Sequence, residues 1–318
     1  MRCLFFLLAL AAVATPQDLG RDFGLPLLAS VPTPPIPVRA DGKYLLVYEL
    51  HLIVGNRKPV DLQKLEVWGS KRIAVLEDGS LAGSIRHSAD RDRITTRIAA
   101  GNHAVICLFL SVEEVPASIH HRITGRVGDE TELLTLKAAT VSIRGEPVRI
   151  HPPLRGDRWV AFNGPSNSSH HRRSWLATGD RAIVPQRFAI DFARLYPDGQ
   201  LTHGDPQYNQ NHASYGAELL AVADALVVQV TDGVPENTPS DNGESRQWTL
   251  QTVAGNAVVL DLGHGRYGFY AHLQPGSLRV KKGDRVSAGQ EMGLLGNSGN
   301  SSGPHLHFGV ADGPAICV

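Results

Sequence analysis

The chain is poor in cysteine and in aromatic side chains, has no net charge, and beyond its first residues has no long apolar run. Three cysteines in 318 residues give no disulfide framework. Thirty-one basic residues against 31 acidic ones, with no basic stripe, argue against a nucleic-acid-binding protein. Aromatics make up 6% of the chain. What is plentiful is glycine, 32 residues, and an ordinary supply of apolar residues, enough for two domains of ~100–200 residues each.

The one long apolar run follows Met1-Arg2 and ends in small residues, Ala12-Val13-Ala14. Such a segment reads as a secretory signal peptide over 1–14, with a membrane anchor as the alternative. No cysteine follows it at once, so lipid anchoring there is not indicated. With Cys3 removed, Cys107 and Cys317 remain. Cys107 sits in the apolar run Ala104–Leu110 and reads as a buried small hydrophobe; pairing with Cys317 is allowed but not required. The mature chain carries no expected transmembrane segment.

Residues 15–42 are rich in proline (Val31-Pro-Thr-Pro-Pro-Ile-Pro37) and read as an extended segment. From Lys43 a series of short apolar and β-branched runs, separated by turns such as Glu77-Asp-Gly-Ser80, predicts an immunoglobulin-like β-sandwich over 43–150. His120-His121 lie on opposite faces of one strand and make a poor chelate. Ile150–Asp157, with two prolines and a glycine, reads as an exposed boundary. A second β-rich domain is expected over 158–318. In it Ile183–Phe192 reads as one strand carrying a single acid, Asp191. Tyr196–Tyr215 reads as a functional loop. Gly255–Leu273 reads as a hairpin turning at His264-Gly265, with Tyr270 and His272 on one face.

Near the C-terminus a turn-rich run, Gly296–Pro304, feeds His305-Leu306-His307-Phe308. Strand alternation puts His305 and His307 on one face and Leu306 and Phe308 on the other. Two imidazoles on a face backed by a core suit metal binding or proton transfer. An isolated His-x-His is more often two idle, half-exposed histidines, so the rest of the chain has to decide.

Four ordered motifs do so. Gly255-Asn256, Tyr270-Ala-His272-Leu273, Val280-x-x-Gly-Asp284-x-Val286-x-x-Gly289-Gln290 and Gly299-x-x-x-Gly303-Pro-His305-Leu-His307-Phe308 together resemble the lysostaphin-type zinc metallopeptidases. The likeness covers about Pro185 to the C-terminus. It implies a β-rich, bacterial cell-wall endopeptidase domain with one zinc ion. Asp191 and His307 would be zinc ligands. His272 and His305 would assist water activation and stabilise the developing oxyanion. Peptidoglycan peptides would be the substrate.

One position departs from that pattern. The family's His-x-x-x-Asp motif is here Arg187-x-x-x-Asp191. A guanidinium has no lone pair for a metal. On strand geometry Arg187 should share a face with Asp191, and it could bond to it, leaving a metal-free site. Alternatively one of His170, His171, His203 or His212 supplies the missing ligand. Two other readings compete. The run Val280–Gln290 resembles a biotinyl or lipoyl carrier hammerhead, but Glu291-Met292-Gly293 lacks the carrier lysine. A metal-free relative that binds cell-wall peptides or regulates a partner hydrolase is the other.

Overall fold

The structure is a computed structural model, and it describes residues 24–87, 93–167, 169–173, 175–178, 181–239 and 248–314. The expected signal peptide and Cys317 lie outside the described residues. The chain is mainly antiparallel β-structure. It divides into two compact units. The first comprises the chain up to Val31, Leu50–Ile106 and Pro116–Ser142. The second comprises Pro32–Glu49, Cys107–Val115 and Ile143 onward.

The N-terminal strands are β1 (Leu27–Ser30), β2 (Val38–Ala40), β3 (Lys43–Val54), β4 (Val60–Trp68), β5 (Arg72–Glu77), β6 (Ile85–His87), β7 (Arg97–Ile98), β8 (His103–Val112), β9 (Ser118–Val127) and β10 (Leu134–Ser142). They make two five-stranded sheets. One has the order β1-β3-β8-β6 with β2 on β3; the other has β10-β9-β4-β5 with β7 on β4. β3 and β8 cross the division, so Glu49 belongs to the second unit and Leu50 to the first. The Glu77–Ser80 segment is not the simple turn expected from its sequence. It starts a helix, α1 (Asp78–Ser84), through a capping box between Glu77 and Ser80. Leu81 fills the buried face of that helix. Two glycines masked this helical start. In β9, His121 is wholly buried while its neighbour His120 is not, in keeping with a period of two.

The second unit continues with β11 (Trp159–Phe162), β12 (Leu176–Thr178), β13 (Arg181–Ile183), β14 (Ile190–Arg194), β15 (Glu218–Leu220), β16 (Ala225–Thr231), β17 (Asn256–Gly263), β18 (Arg266–Leu273), β19 (Arg285–Val286), β20 (Glu291–Leu294) and β21 (Leu306–Ala311). Seven of these form one sheet, in the order β11-β14-β21-β18-β17-β16-β19. Its apolar face supplies Val258, Leu260, Tyr270, Leu306 and Phe308 to a core completed by Leu219, Met292 and Leu295. The opposite face is left for the site.

Two expectations change here. The segment Ile183–Phe192 is not one strand: β13 ends at Ile183, a turn occupies 185–188, and β14 begins at Ile190. Pro185 explains the break, since it has no N–H to donate to a ladder. Part of Ile150–Asp157 is not exposed linker either. The His151 N–H donates to the Val222 carbonyl, the Leu220 N–H donates to the Pro153 carbonyl, and Leu154 joins the core.

Candidate metal centre

Asp191 on β14 and His307 on β21 are directly paired across the two strands. Ile190 and Phe192 flank the first, and Leu306 and Phe308 flank the second. Burial of Leu306 and Phe308, with Phe192 packed against the same core, fixes which face the alternating residues take. Asp191 and His307 therefore share the other face. His307 Nδ1 lies 2.9 Å from Asp191 Oδ1.

His171 comes to the same carboxylate from outside the sheet. It sits on a 3-10 turn, His170–Arg173, with its Nε2 3.3 Å from Asp191 Oδ2. Its Nδ1 is 2.8 Å from the Asn163 carbonyl and 3.3 Å from that of Ala189. Carbonyls only accept, so Nδ1 carries a proton and Nε2 is the atom that faces Asp191, donating to it when the ring is protonated and offering its lone pair to a metal when the ring is neutral. Ligating histidines are commonly oriented this way through their far nitrogen. Asn163 contributes twice, because its Nδ2 donates to Asp191 Oδ2 at 2.8 Å.

His171, Asp191 and His307 are all buried, and their donor atoms lie within 4.8 Å of one another. Two imidazoles and one carboxylate make a donor set suited to zinc and short of the oxygen ligands a hard cation prefers. Burial would push the Asp191 carboxyl up. The hydrogen bonds from His171 and His307 and the nearby His305 outweigh it and hold the carboxyl well below its usual range. For His171, burial pulls the imidazole down, but its bond to and attraction for Asp191 leave it raised.

Two further imidazoles adjoin the group. His305 precedes β21 by one residue, and its Nε2 is 3.6 Å from Asp191 Oδ1. His272 stacks obliquely against His305, with ring centroids 4.9 Å apart, and its centroid is 5.7 Å from that of His307. Nδ1 of His272 faces the Ser298 carbonyl at 2.8 Å, and Nδ1 of His305 faces that of Gly303 at 2.8 Å. Both rings thus keep Nε2 as their basic atom. Burial lowers both histidines, His272 well below the ordinary imidazole value.

His272 does not share a face with Tyr270, as simple alternation would have it. The register with β17 shifts between Asn256 and Val258, so Ala271 and His272 oppose one residue. His272 takes a φ of +66° in this bulge. The bulge leaves Tyr270 in the core and re-aims His272 to the cleft. Its support is tight backbone packing beneath: Gly299, at φ +75°, lies so near Gly255 that an added Cβ would be 2.2 Å from the Gly255 nitrogen. Ser298, fully buried between them, accepts from the Asn256 N–H and donates to the Leu273 carbonyl.

The remaining sequence candidates stand apart from the three donors. His203 stacks on Tyr196 and lies 2.9 Å from Asp198 Oδ2. His212 lies 2.9 Å from the Pro206 carbonyl, and it and the exposed His170 line the cleft wall. Arg187 neither faces Asp191 nor bonds to it. It sits in the turn before β14 and pairs with Glu49, its Nε donating to Glu49 Oε2 at 2.7 Å. The cleft measures about 660 Å³ and is bounded by Phe162, Leu201, Val253, Ala254 and Pro304 beside the histidines. Leu201, His212 and Ser214 bring the Tyr196–Tyr215 loop to its rim. Asn163 and Ser298 were not singled out in the sequence; both sit in turn-rich stretches where their type has no distinguishing signal.

Comparison with known proteins covers part of this site. Residues 210–316 match Peptidase family M23, a span holding His272, His305 and His307 but not His171 or Asp191. Peptidoglycan DD-endopeptidase ShyC of Vibrio cholerae is 30% identical over 186 residues, 58% of this chain and 40% of its own. Peptidoglycan DD-endopeptidase ShyA of the same organism is 49% identical over 55 residues, 17% of this chain and 12% of its own. The chain spans less than half the length of these curated relatives. Among solved structures, the catalytic domain of lysostaphin from Staphylococcus simulans aligns at 22% identity over 40% of this chain and 71% of that one, with a TM-score of 0.25. The chain carries a peptidase family M23 domain over residues 210–316.

Proposed function

We propose that the chain is a zinc-dependent endopeptidase that hydrolyses peptide bonds of cell-wall peptidoglycan. The observation that carries this reading is the joint placement of His171, Asp191 and His307 with His272 and His305 in one cleft, with His272, His305 and His307 inside the span that matches family M23. The two Vibrio relatives named as peptidoglycan DD-endopeptidases support the substrate class. That substrate lies outside the cytoplasm, so the reading carries export with it.

His171, Asp191 and His307 would hold one zinc ion. Zinc bound there supplies Lewis acidity and a water of lowered pKa. The chain's own residues do the rest. Nε2 of His272 and of His305 are the basic atoms beside the group, each fixed by a carbonyl at Nδ1. One can take the proton of the attacking water and return it to the leaving amine. An imidazole that has taken a proton becomes a donor, able to stabilise the oxyanion of the tetrahedral intermediate. The apolar rim of Phe162, Leu201 and Pro304 limits bulk water and gives a peptide a surface to lie on.

The metal-free alternative drew on an arginine opposing the metal. With Arg187 paired to Glu49, that ground is removed. The test is digestion of purified peptidoglycan by the zinc-loaded chain, followed by counting new amino termini. New termini that vanish with a chelator and return with zinc are expected. Binding to peptidoglycan without any new termini would leave the binding-module reading in its place.

A further inference from the structure

β3 is apolar along most of its length, yet Glu49 is wholly buried in it. Each of its carboxylate oxygens holds a different guanidinium. Oε1 accepts from Arg172 Nη2 at 2.7 Å, and Oε2 accepts from Arg187 Nε at 2.7 Å. The Arg172 side chain is also fully buried. It is fixed by further bonds to the Tyr48 and Leu108 carbonyls and to Asn167 Oδ1. Glu49 is thereby locked by one arginine and left with a single oxygen to offer the other. All these residues belong to the second unit.

The two arginines are not arbitrary ones. Arg172 directly follows His171 on the 3-10 turn. Arg187 lies four residues before Asp191 and next to Gln186, which lines the cleft. Among the described residues of this unit, Glu49 and Asp191 are the two buried carboxylates. A guanidinium released from the first has the second as its alternative partner. Arg187 on Asp191 would occupy a metal donor and set a positive charge against a dication.

We infer that Glu49 is a positioning residue for the metal centre, holding Arg187 off Asp191 so that His171, Asp191 and His307 are free to bind a divalent ion. The inference rests on the zinc reading above. It gives β3 a task at the site, and it accounts for an arginine tolerated where it could spoil the donor set.

Zinc affinity of the full chain, measured by competition with a chromophoric chelator, tests it. Cobalt absorption reports the donor set, and circular dichroism reports the fold. In E49Q an amide faces both arginines with one acceptor in place of two. Zinc affinity should fall at least ~10-fold, with loss of the cobalt signature. In E49Q/R187Q the competing guanidinium is gone, and affinity should return to within a few-fold of wild type. A merely structural Glu49 would not be rescued in this way. Wild-type zinc affinity in folded E49Q overturns the inference alone, as does a loss that R187Q fails to restore. A wild type that binds no zinc overturns the zinc reading and this inference together. Should E49Q not fold, E49D keeps the charge but shortens its reach. Weakened zinc binding in folded E49D supports the inference, and unchanged binding rejects it.

Discussion

The strained residue at the centre of the site is His272, and its geometry depends on two glycines it does not touch through a side chain. Gly255 and Gly299 both have positive φ, and their backbones meet where no Cβ fits. Gly299→Ala should therefore cost at least ~2 kcal/mol, from the left-handed backbone and the clash together. A urea midpoint unchanged from wild type would contradict this. His305→Ala should keep metal and lose hydrolysis by roughly 10²–10⁴-fold, since the proposed function uses Nε2 of His305 for proton transfer and not as a donor to the metal. Metal content and hydrolysis rate of the same preparation decide it, and loss of both would move His305 into the ligand set. A third residue-level expectation lies away from the site. His121 is buried, and burial pulls its imidazole down to about 4 against an ordinary 6.5, despite its bond to the Ala139 carbonyl. Below 6.5 the unfolded chain gains a proton that the folded chain refuses until about 4. Stability present above 6.5 is thus lost as pH falls through that window, by roughly 3–3.5 kcal/mol. H121Q removes this titration, and an unchanged pH slope of its urea midpoint would reject the account.

At the level of elements, strand alternation was enough to place His305 and His307 on one face, because burial of Leu306 and Phe308 leaves a strand no other register, whereas Asp191 was joined to them only through the family resemblance. It failed where the backbone departs from the period of two. The bulge at His272 needs Gly255 and Gly299 from distant parts of the chain, so no local pattern announces it. The turn at 185–188 puts Arg187 out of the strand, and Pro185 was the available signal. His171 could be named only as one of four histidines, because its place on Asp191 is set by tertiary packing of the turn His170–Arg173. The consequence for engineering is direct. Arg187→His places an imidazole in a turn that faces Glu49, not Asp191, and should bring no gain in zinc affinity. A tighter or second zinc in that variant would show that an imidazole, shorter than the guanidinium, reaches the donors from this turn.

At the scale of the whole molecule, the two-domain reading over 43–150 and 158–318 remains a proposal, and the structure sharpens where to test it. His151–Leu154 is hydrogen-bonded to the second unit, whereas Arg144–Glu146 and Arg149–Ile150 are exposed and outside any strand. Limited proteolysis should cut within 144–150 and leave a C-terminal fragment that begins before His151. First cuts inside β4 or β9 would contradict separate domains. The chain as a whole should bind one zinc, through a turn histidine in place of the one missing at position 187. Metal content after dialysis, compared between wild type and His171→Ala, tests this most directly. The expected result is about one zinc per chain in wild type, near none in His171→Ala, and wild-type content in the separate His170→Ala, His203→Ala and His212→Ala variants. Full zinc in His171→Ala, or its loss in one of the other three, would contradict the account.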